Sequence, residues 1–264
     1  MPGVTLITEE NKKLAYCHVP KVASTAWMMS FAEMNLISAS DIKSMNNANS
    51  LHDYLYNTFS IKIEKPDDAS LLSNLYTITF IRHPFERLVS AFHDKFIVGK
   101  QINLMMPFIE YYTRLKGMKK PKKVRQSWID KYIDVSFRTF IDFVLFEYNE
   151  PEKISDPSTH WWPYMDICKL CEIKFDYVGK LETLKNDVEC ILDAFPNYAK
   201  LQQMKLKIRK KVNAKGNHST NMTMEYFSQL SKETVVSLYK MYEDDFKLGG
   251  YEYPKKYIDI AGFA

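Results

Sequence analysis

Leu14-Ala15-Tyr16-Cys17-His18-Val19-Pro20-Lys21-Val22-Ala23-Ser24-Thr25 is the stretch on which the fold turns. Its first six residues read as a short buried strand, and Pro20 stops the strand because proline cannot supply the next ladder donor. Beyond the loop Lys21 to Ser24, residues Trp27, Phe31 and Met34 recur at i, i+4 and i+7, one apolar face of a helix. The order is strand, tight loop, helix. It recurs at Leu75 to Ile81, rich in β-branched and aromatic residues, after which Pro84 opens a helix where its missing N–H costs least. Phe85, Leu88, Val89, Phe92 and Phe96 line one side of that helix, and Glu86, Arg87, Ser90 and Asp94 are expected on the opposite, polar side. Two such units predict an α/β protein with a central, mainly parallel sheet flanked by helices. Ligands of such a sheet bind beyond the carboxyl ends of the strands.

The remaining segments follow by the same reasoning. Residues 37 to 74 are mixed and polar, with a turn at Lys65-Pro66-Asp67-Asp68, and are expected to form a connection with short helices. Residues 104 to 149 are mainly helical in pattern, with Phe137, Phe140, Ile141, Val144 and Leu145 keeping the period. The basic run Lys119-Lys120-Pro121-Lys122-Lys123-Val124-Arg125 falls in a loop. That run and the stretch Lys205 to Lys215 read either as solvated surface turns or as contacts for an acidic sugar polymer. Met224 to Leu230 and Ser231 to Phe246 read as helices, the second capped by Ser231 and ended by Gly249-Gly250.

With 264 residues, 46% of them hydrophobic and 26% charged, the chain can bury a sizeable core and is expected to be one domain. A net charge of +4 favours an anionic cofactor or an acidic polymer without requiring either. There is no run of roughly 18 or more apolar residues, and Met1 to Lys13 lack the layout of a signal peptide. Cys17, Cys168, Cys171 and Cys190 are too few for a disulfide scaffold and pair in ways the sequence does not rank. Cys168 and Cys171 have no second ligand pair at matching spacing, so no zinc site is expected. Asn217-His218-Ser219 and Asn221-Met222-Thr223 are N-glycosylation triplets, which matter only in a secretory compartment.

Two constellations carry chemistry. In Pro20-Lys21-Val22-Ala23-Ser24-Thr25 a loop wraps a helix N-terminus, where free N–H groups and partial positive charge favour an anion. Lys21 adds a full charge there, and Ser24 and Thr25 add hydroxyl donors. The GxxxxGK[ST] pattern of the nucleotide-triphosphate loop is absent. In Arg82-His83-Pro84-Phe85-Glu86-Arg87-Leu88-Val89-Ser90, Arg82 leaves the second strand at the ligand edge. Together with the Ser90 hydroxyl it suits a phosphate monoester.

These motifs, in this order and about 60 residues apart, resemble the signature by which sulfotransferases bind 3′-phosphoadenosine-5′-phosphosulfate (PAPS). Thr159-His160-Trp161, Cys168-Lys169-Leu170-Cys171, Phe175 through Leu184, and the C-terminal Tyr226-Phe227 through Tyr251 narrow the likeness to the carbohydrate sulfotransferase family. That family includes the HNK-1 epitope enzyme and the chondroitin, dermatan and N-acetylgalactosamine 4-O-sulfotransferases. The resemblance spans about residues 14 to 255. It implies a P-loop-like sulfotransferase fold, residues 1–264 as one catalytic domain lacking its N-terminal anchor and stem, and PAPS as co-substrate without a metal. Lys21, Val22, Ala23, Ser24, Thr25 and Ala26 would bind the 5′-phosphosulfate, and Arg82 and Ser90 the 3′-phosphate. Ala26 and His83 depart from the family pattern, which usually has a polar residue at the first position and an acidic one at the second. Catalysis needs positive charge near the bridging oxygen, assigned to Lys21, and a base, for which His160 is favoured with Trp161 as a sugar-stacking neighbour. The resemblance also makes Cys168 and Cys171 structural, disulfide-bonded in an oxidising lumen, with the pairing open. It implies a glycan or proteoglycan acceptor, no nucleic-acid partner, a membrane-anchored full-length form and the lumenal side of the Golgi membrane. A candidate reaction is sulfation at position 4 of N-acetylgalactosamine in chondroitin or dermatan. A soluble small-molecule sulfotransferase and a catalytically silent glycan-binding protein of the same fold stand as alternatives.

Overall fold

The computed structural model describes residues 4–8, 13–35, 37–38, 40–41, 48–63, 70–153, 158–194 and 219–262. The turn at Lys65–Asp68, the basic stretch Lys205 to Lys215, and Asn217 with His218 lie outside them. The chain divides into two compact units, one comprising Met1–Arg82 and Tyr164–Gly216, the other His83–Pro163 and Asn217–Ala264.

The first unit is built on a five-stranded sheet in the order β3-β1-β2-β4-β5, with β1 Val4–Thr8, β2 Leu14–Cys17, β3 Ser60–Ile63, β4 Tyr76–Ile81 and β5 Tyr177–Lys180. β2 pairs parallel with β4, and β4 with β5, whereas β1 is antiparallel to both β2 and β3. Four strands therefore run one way, so the mainly parallel expectation holds, with β1 as the reversed strand. β3 comes from the segment read as polar connection and β1 from a stretch for which no element was expected, because a strand of four or five residues carries too few periods to declare itself. The predicted loop-and-helix unit is present: β2 is buried throughout, and the helix Ser24–Met34 buries Trp27, Phe31 and Met34. Trp27 stacks at 4.5 Å on Phe80 of β4, and Phe31 at 5.8 Å on Tyr16 of β2, which locks this helix to the sheet.

β5 is tied to β4 by more than its ladder. Asp176 accepts from Thr77 N at 2.7 Å and Thr77 Oγ1 at 2.9 Å. At the other end Asp187, in the helix Leu184–Asp193, accepts from Lys180 N at 2.8 Å, Thr183 Oγ1 at 2.7 Å and Tyr177 OH at 2.9 Å. Among the described residues no helix is long and apolar enough to cross a membrane.

The second unit is helical around an aromatic core. The helix Pro84–Phe92 starts at its proline as predicted and runs on as a π-helical turn, His93–Val98. Phe92 contacts Phe137 and Phe140 of the helix Phe137–Asn149, and Phe85 stacks on Phe227 of the helix Ser219–Ser228 at 4.5 Å. The basic run 119–125 forms a loop between the helices Ile102–Leu115 and Gln126–Tyr132. Ser231 caps its helix by accepting from Thr234 N at 3.1 Å.

Two expectations change here. The helix read as Ser231 to Phe246 is two, Lys232–Met241 and Glu243–Leu248, with the break at Tyr242, whose hydroxyl is committed to the carbonyl of Trp161. Gly250, at φ 57°, then closes the second helix: Tyr251 N reaches Phe246 O and Gly250 N reaches Lys247 O. Arg87, expected on a polar face, is fully buried. Its helix faces a protein loop there rather than water, and two carbonyls of that loop accept from its guanidinium.

Gly179 in β5 has no room for a side chain, since a Cβ would lie 2.3 Å from Cε1 of Phe80, a ring already held against Trp27. Gly179→Ala is expected to cost about 1–3 kcal/mol through overpacking, read as a lower midpoint in chemical or thermal unfolding. A midpoint equal to that of the parent would show that Phe80 can give way.

Candidate functional site

In the first unit the site forms where parallel strands end. Cys17 pairs with Thr79, and Ile81 with Lys180, so the chain leaves β2 toward Lys21, β4 toward Arg82 and β5 toward Leu181 along one edge of the sheet. Leu181 N donates to Ile81 O at 2.8 Å and holds two of these exits together. This is the carboxyl edge at which ligands of open parallel sheets bind.

The loop after β2 is strained in a particular way. Lys21 has φ 72° and Ala23 φ 62°, both left-handed and neither glycine. Each such residue costs on the order of 1–3 kcal/mol. Left-handed residues in a turn are the means by which successive amides form an anion-binding nest, and Lys21 and Ala23 supply two of them on either side of Val22. Val22 is fully buried, so its side chain anchors the loop. Ala23 is also the N-cap of the helix Ser24–Met34 and provides no side-chain cap. Its carbonyl takes Ala26 N at 2.9 Å and Trp27 N at 3.3 Å. The hydroxyls of Ser24 and Thr25 make no hydrogen bond to any described residue, and Thr25 is exposed. An uncapped helix start with a nest before it and two spare hydroxyls fits a phosphate or sulfate. Ala26 brings backbone only, and that backbone is engaged: its N–H is in the first turn and its carbonyl accepts from Ser30 Oγ at 2.9 Å.

Two devices brace this edge. Cys17, the last residue of β2, is disulfide-bonded to Cys168, with Cα atoms 6.0 Å apart. The partner of Cys168 is therefore Cys17, and Cys171 is a free, exposed thiol, as is Cys190. The expectation that Cys171 is bonded fails, because Cys17 stands at the adjoining strand end and takes the only sulfur that Cys168 can offer. The second device is Tyr164, fully buried in the short helix Tyr164–Cys168. Its hydroxyl donates to Arg82 O at 2.6 Å and accepts from Arg82 N at 3.0 Å, gripping both backbone groups of Arg82. Sequence reasoning passed over Tyr164, whose only signal was its place four residues after His160. Burial pushes the carboxyl of Asp166, in the same helix, above the usual carboxylate range.

In the second unit Ser90 is half-buried in the helix Pro84–Phe92, and its hydroxyl makes no hydrogen bond to any described residue. His83 is packed among aromatic rings, with Phe246 and Tyr251 at 5.1 Å and Tyr257 at 5.5 Å.

His160 lies on the segment Ser158–Trp162, half-buried, with Nδ1 3.2 Å from Ser158 Oγ. The segment is held from two helices and from Tyr242. Arg87 donates to Trp162 O at 2.7 Å and Thr159 O at 3.0 Å, Tyr242 OH donates to Trp161 O, and Glu147 accepts from Ser158 N at 3.1 Å and from Trp161 Nε1. Trp161 is thereby removed from the role of sugar platform. Only 1% exposed, it points its indole N–H at a buried carboxylate and sits against Phe140 at 5.2 Å. Arg87 and Glu147 are the buried neighbours of His160's segment that the sequence pattern concealed. Among the described residues, no three His, Cys, Asp or Glu side chains gather as metal ligands.

A family model described as "Sulfotransferase family" matches residues 4–253. Carbohydrate sulfotransferase 11 of Mus musculus is 30% identical over 266 residues, covering 94% of this chain and 67% of that protein. Carbohydrate sulfotransferase 12 of Mus musculus is 27% identical, with 96% and 61% covered, and carbohydrate sulfotransferase 10 of Mus musculus 28% identical, with 93% and 66% covered. The chain thus spans about two thirds of the length of these relatives. No solved structure gives a significant match.

Tyr164→Phe removes both hydrogen bonds to the Arg82 backbone and is expected to lower stability by about 1–3 kcal/mol. It should also weaken binding of adenosine 3′,5′-bisphosphate, measured by calorimetry, by a larger factor than it weakens binding of inorganic sulfate. Equal loss for the two anions would place its effect elsewhere than at Arg82.

Proposed function

From the premise that the chain belongs to the sulfotransferase family, we propose that it is an enzyme transferring the sulfuryl group of PAPS to a hydroxyl of a carbohydrate. The observation that carries this reading is the loop after β2: a nest with two left-handed residues, opening an uncapped helix, on the edge from which Arg82 also leaves. Such a loop is a costly way to connect a strand and a helix and a good way to hold an anion.

PAPS, when bound, supplies an activated sulfuryl group on a phosphate leaving group. The residues assigned to its 5′-phosphosulfate are Lys21 through Thr25, as backbone amides, the Lys21 ammonium and the Ser24 and Thr25 hydroxyls, whereas Ala26, assigned with them by the resemblance, has its own amide bonded to Ala23 O. Arg82 is assigned to the 3′-phosphate, its backbone set by Tyr164. Lys21 neutralises charge that develops on the bridging oxygen as its bond to sulfur breaks. Ser90 and His160, in the second unit, take their roles of 3′-phosphate donor and general base from the resemblance. Residues 1–264 are read as one catalytic domain comprising both units.

The acceptor is a glycan, as the relatives' names say of those proteins, and position 4 of N-acetylgalactosamine in chondroitin or dermatan is the particular acceptor we put forward. The exposed Lys119, Lys122, Lys123 and Arg125 support an acidic polymer. The Cys17–Cys168 disulfide supports an oxidising compartment such as the Golgi lumen, and the exposed Asn221 of the triplet Asn221-Met222-Thr223 fits the same location. A membrane-anchored full-length form belongs to this proposal.

Sulfate transfer from radiolabelled PAPS to desulfated chondroitin, dermatan, glucuronyl-lactosamine and terminal N-acetylgalactosamine acceptors tests it. One acceptor should be labelled, and Lys21→Ala should lower kcat/KM by roughly 100-fold or more. Tight PAPS binding without transfer to any acceptor would favour the silent glycan-binding reading. Folded protein that binds no PAPS would overturn the proposal.

A further inference from the structure

The segment that carries His160 is more constrained than a loop of its length requires. Arg87 and Glu147, both fully buried, send their charged groups to it from two different helices, and Tyr242 adds a third attachment. Within that frame Ser158 occupies a particular place. Its amide is bound by Glu147 Oε1 at 3.1 Å, while its hydroxyl lies 3.3 Å from His160 N and 3.2 Å from His160 Nδ1. One carboxylate thus fixes the serine, and the serine meets the imidazole. This is the arrangement of base and orienting group by which a histidine is given one tautomer and one ring orientation.

We propose that Ser158, itself held by Glu147, is a positioning residue that fixes His160 in the tautomer with hydrogen on Nδ1, leaving Nε2 to take the proton of the acceptor hydroxyl. The proposal rests on the reading of His160 as the base. In that tautomer Nδ1–H donates to Ser158 Oγ, whose second lone pair accepts from His160 N. As the acceptor oxygen bonds to sulfur, its proton passes to Nε2, and the electron pair of the breaking sulfur–oxygen bond leaves with the phosphate. The imidazolium formed keeps its Nδ1–H on Ser158 Oγ, so no hydrogen bond is lost as charge appears. The carboxylate of Glu147 acts at one remove, through the Ser158 backbone.

Three variants and two readouts test it. Ser158→Ala is expected to lower kcat about tenfold, with KM for both PAPS and acceptor within about twofold of the parent. Ser158→Thr, which keeps the hydroxyl, should restore kcat to within about threefold of the parent. In the protein labelled with 15N-histidine, the ring whose signals vanish in His160→Gln should show the Nδ1–H tautomer. In Ser158→Ala it should shift toward Nε2–H. The NMR readout needs no turnover, so it separates the two ways of failing. If His160→Gln retains parental kcat, the base reading falls and the proposal with it, whatever the tautomer. If His160→Gln is inactive while Ser158→Ala has parental kcat and an unchanged tautomer, the base stands and the orienting role of Ser158 is refuted.

Discussion

The parallel pairing of β2 with β4, in the register that sets Cys17 opposite Thr79, is the constraint on which the first unit depends. A parallel pair sends both chains out at the same end, and here those chains begin the nest and the Arg82 segment. A slip of one residue would turn every side chain of β2 to the opposite face and take Tyr16 away from Trp27 and Phe31. Several bonds guard against this. Thr79 Oγ1 donates to Cys17 O at 3.2 Å, Cys17 is bonded to Cys168, and Tyr164, at the start of the helix that ends in Cys168, holds the backbone of Arg82. The strand end, the short helix and the arginine are therefore one braced assembly.

Bracing of this kind is what the loop demands. Two left-handed residues without glycine store on the order of a few kcal/mol, which a loosely attached loop would release by relaxing. Val22, buried between them, prevents this because its side chain would have to leave the core for the loop to straighten. The same logic explains why an alanine can be the helix N-cap. A serine or aspartate there would offer its side chain to an amide of the first turn, whereas Ala23 has no such group to offer.

How far the site was legible follows from these particulars. The strand–loop–helix pattern, the cap at Ser231 and the helix start at Pro84 showed in the sequence because each rests on neighbours within a few residues. The same locality made Lys21, Ser24, Arg82 and Ser90 visible as candidates. What stayed hidden depends on distant partners. Arg87 looked like a surface residue because its helix position is polar by pattern, yet the carbonyls of Thr159 and Trp162 lie more than seventy residues on. Trp161 looked like a sugar platform because nothing nearby announced Glu147. The pairing of Cys168 stayed open because its bond crosses 151 residues to Cys17, a distance over which sequence spacing carries no signal. Tyr242, at which the helix breaks, gave no sign of it, and its hydroxyl bonds to Trp161 O, eighty-one residues away in sequence.

The cost of the second unit's frame indicates what it is for. Taking a guanidinium and a carboxylate out of water costs several kcal/mol each even after relaxation, and apolar side chains of similar volume would fill the same space with less penalty. Arg87 and Glu147 direct hydrogen bonds mainly at main-chain groups of Ser158, Thr159 and Trp162, together with the indole N–H of Trp161. Main-chain groups define where a segment runs rather than how well it packs. Apolar contacts are indifferent to a shift of a few tenths of an ångström, whereas a buried charge loses much of its compensation when a hydrogen bond lengthens. Buried charges aimed at backbone therefore exchange stability for positional exactness. That exchange is hard to account for in an idle loop, and it is intelligible in one that must present an imidazole in a single orientation.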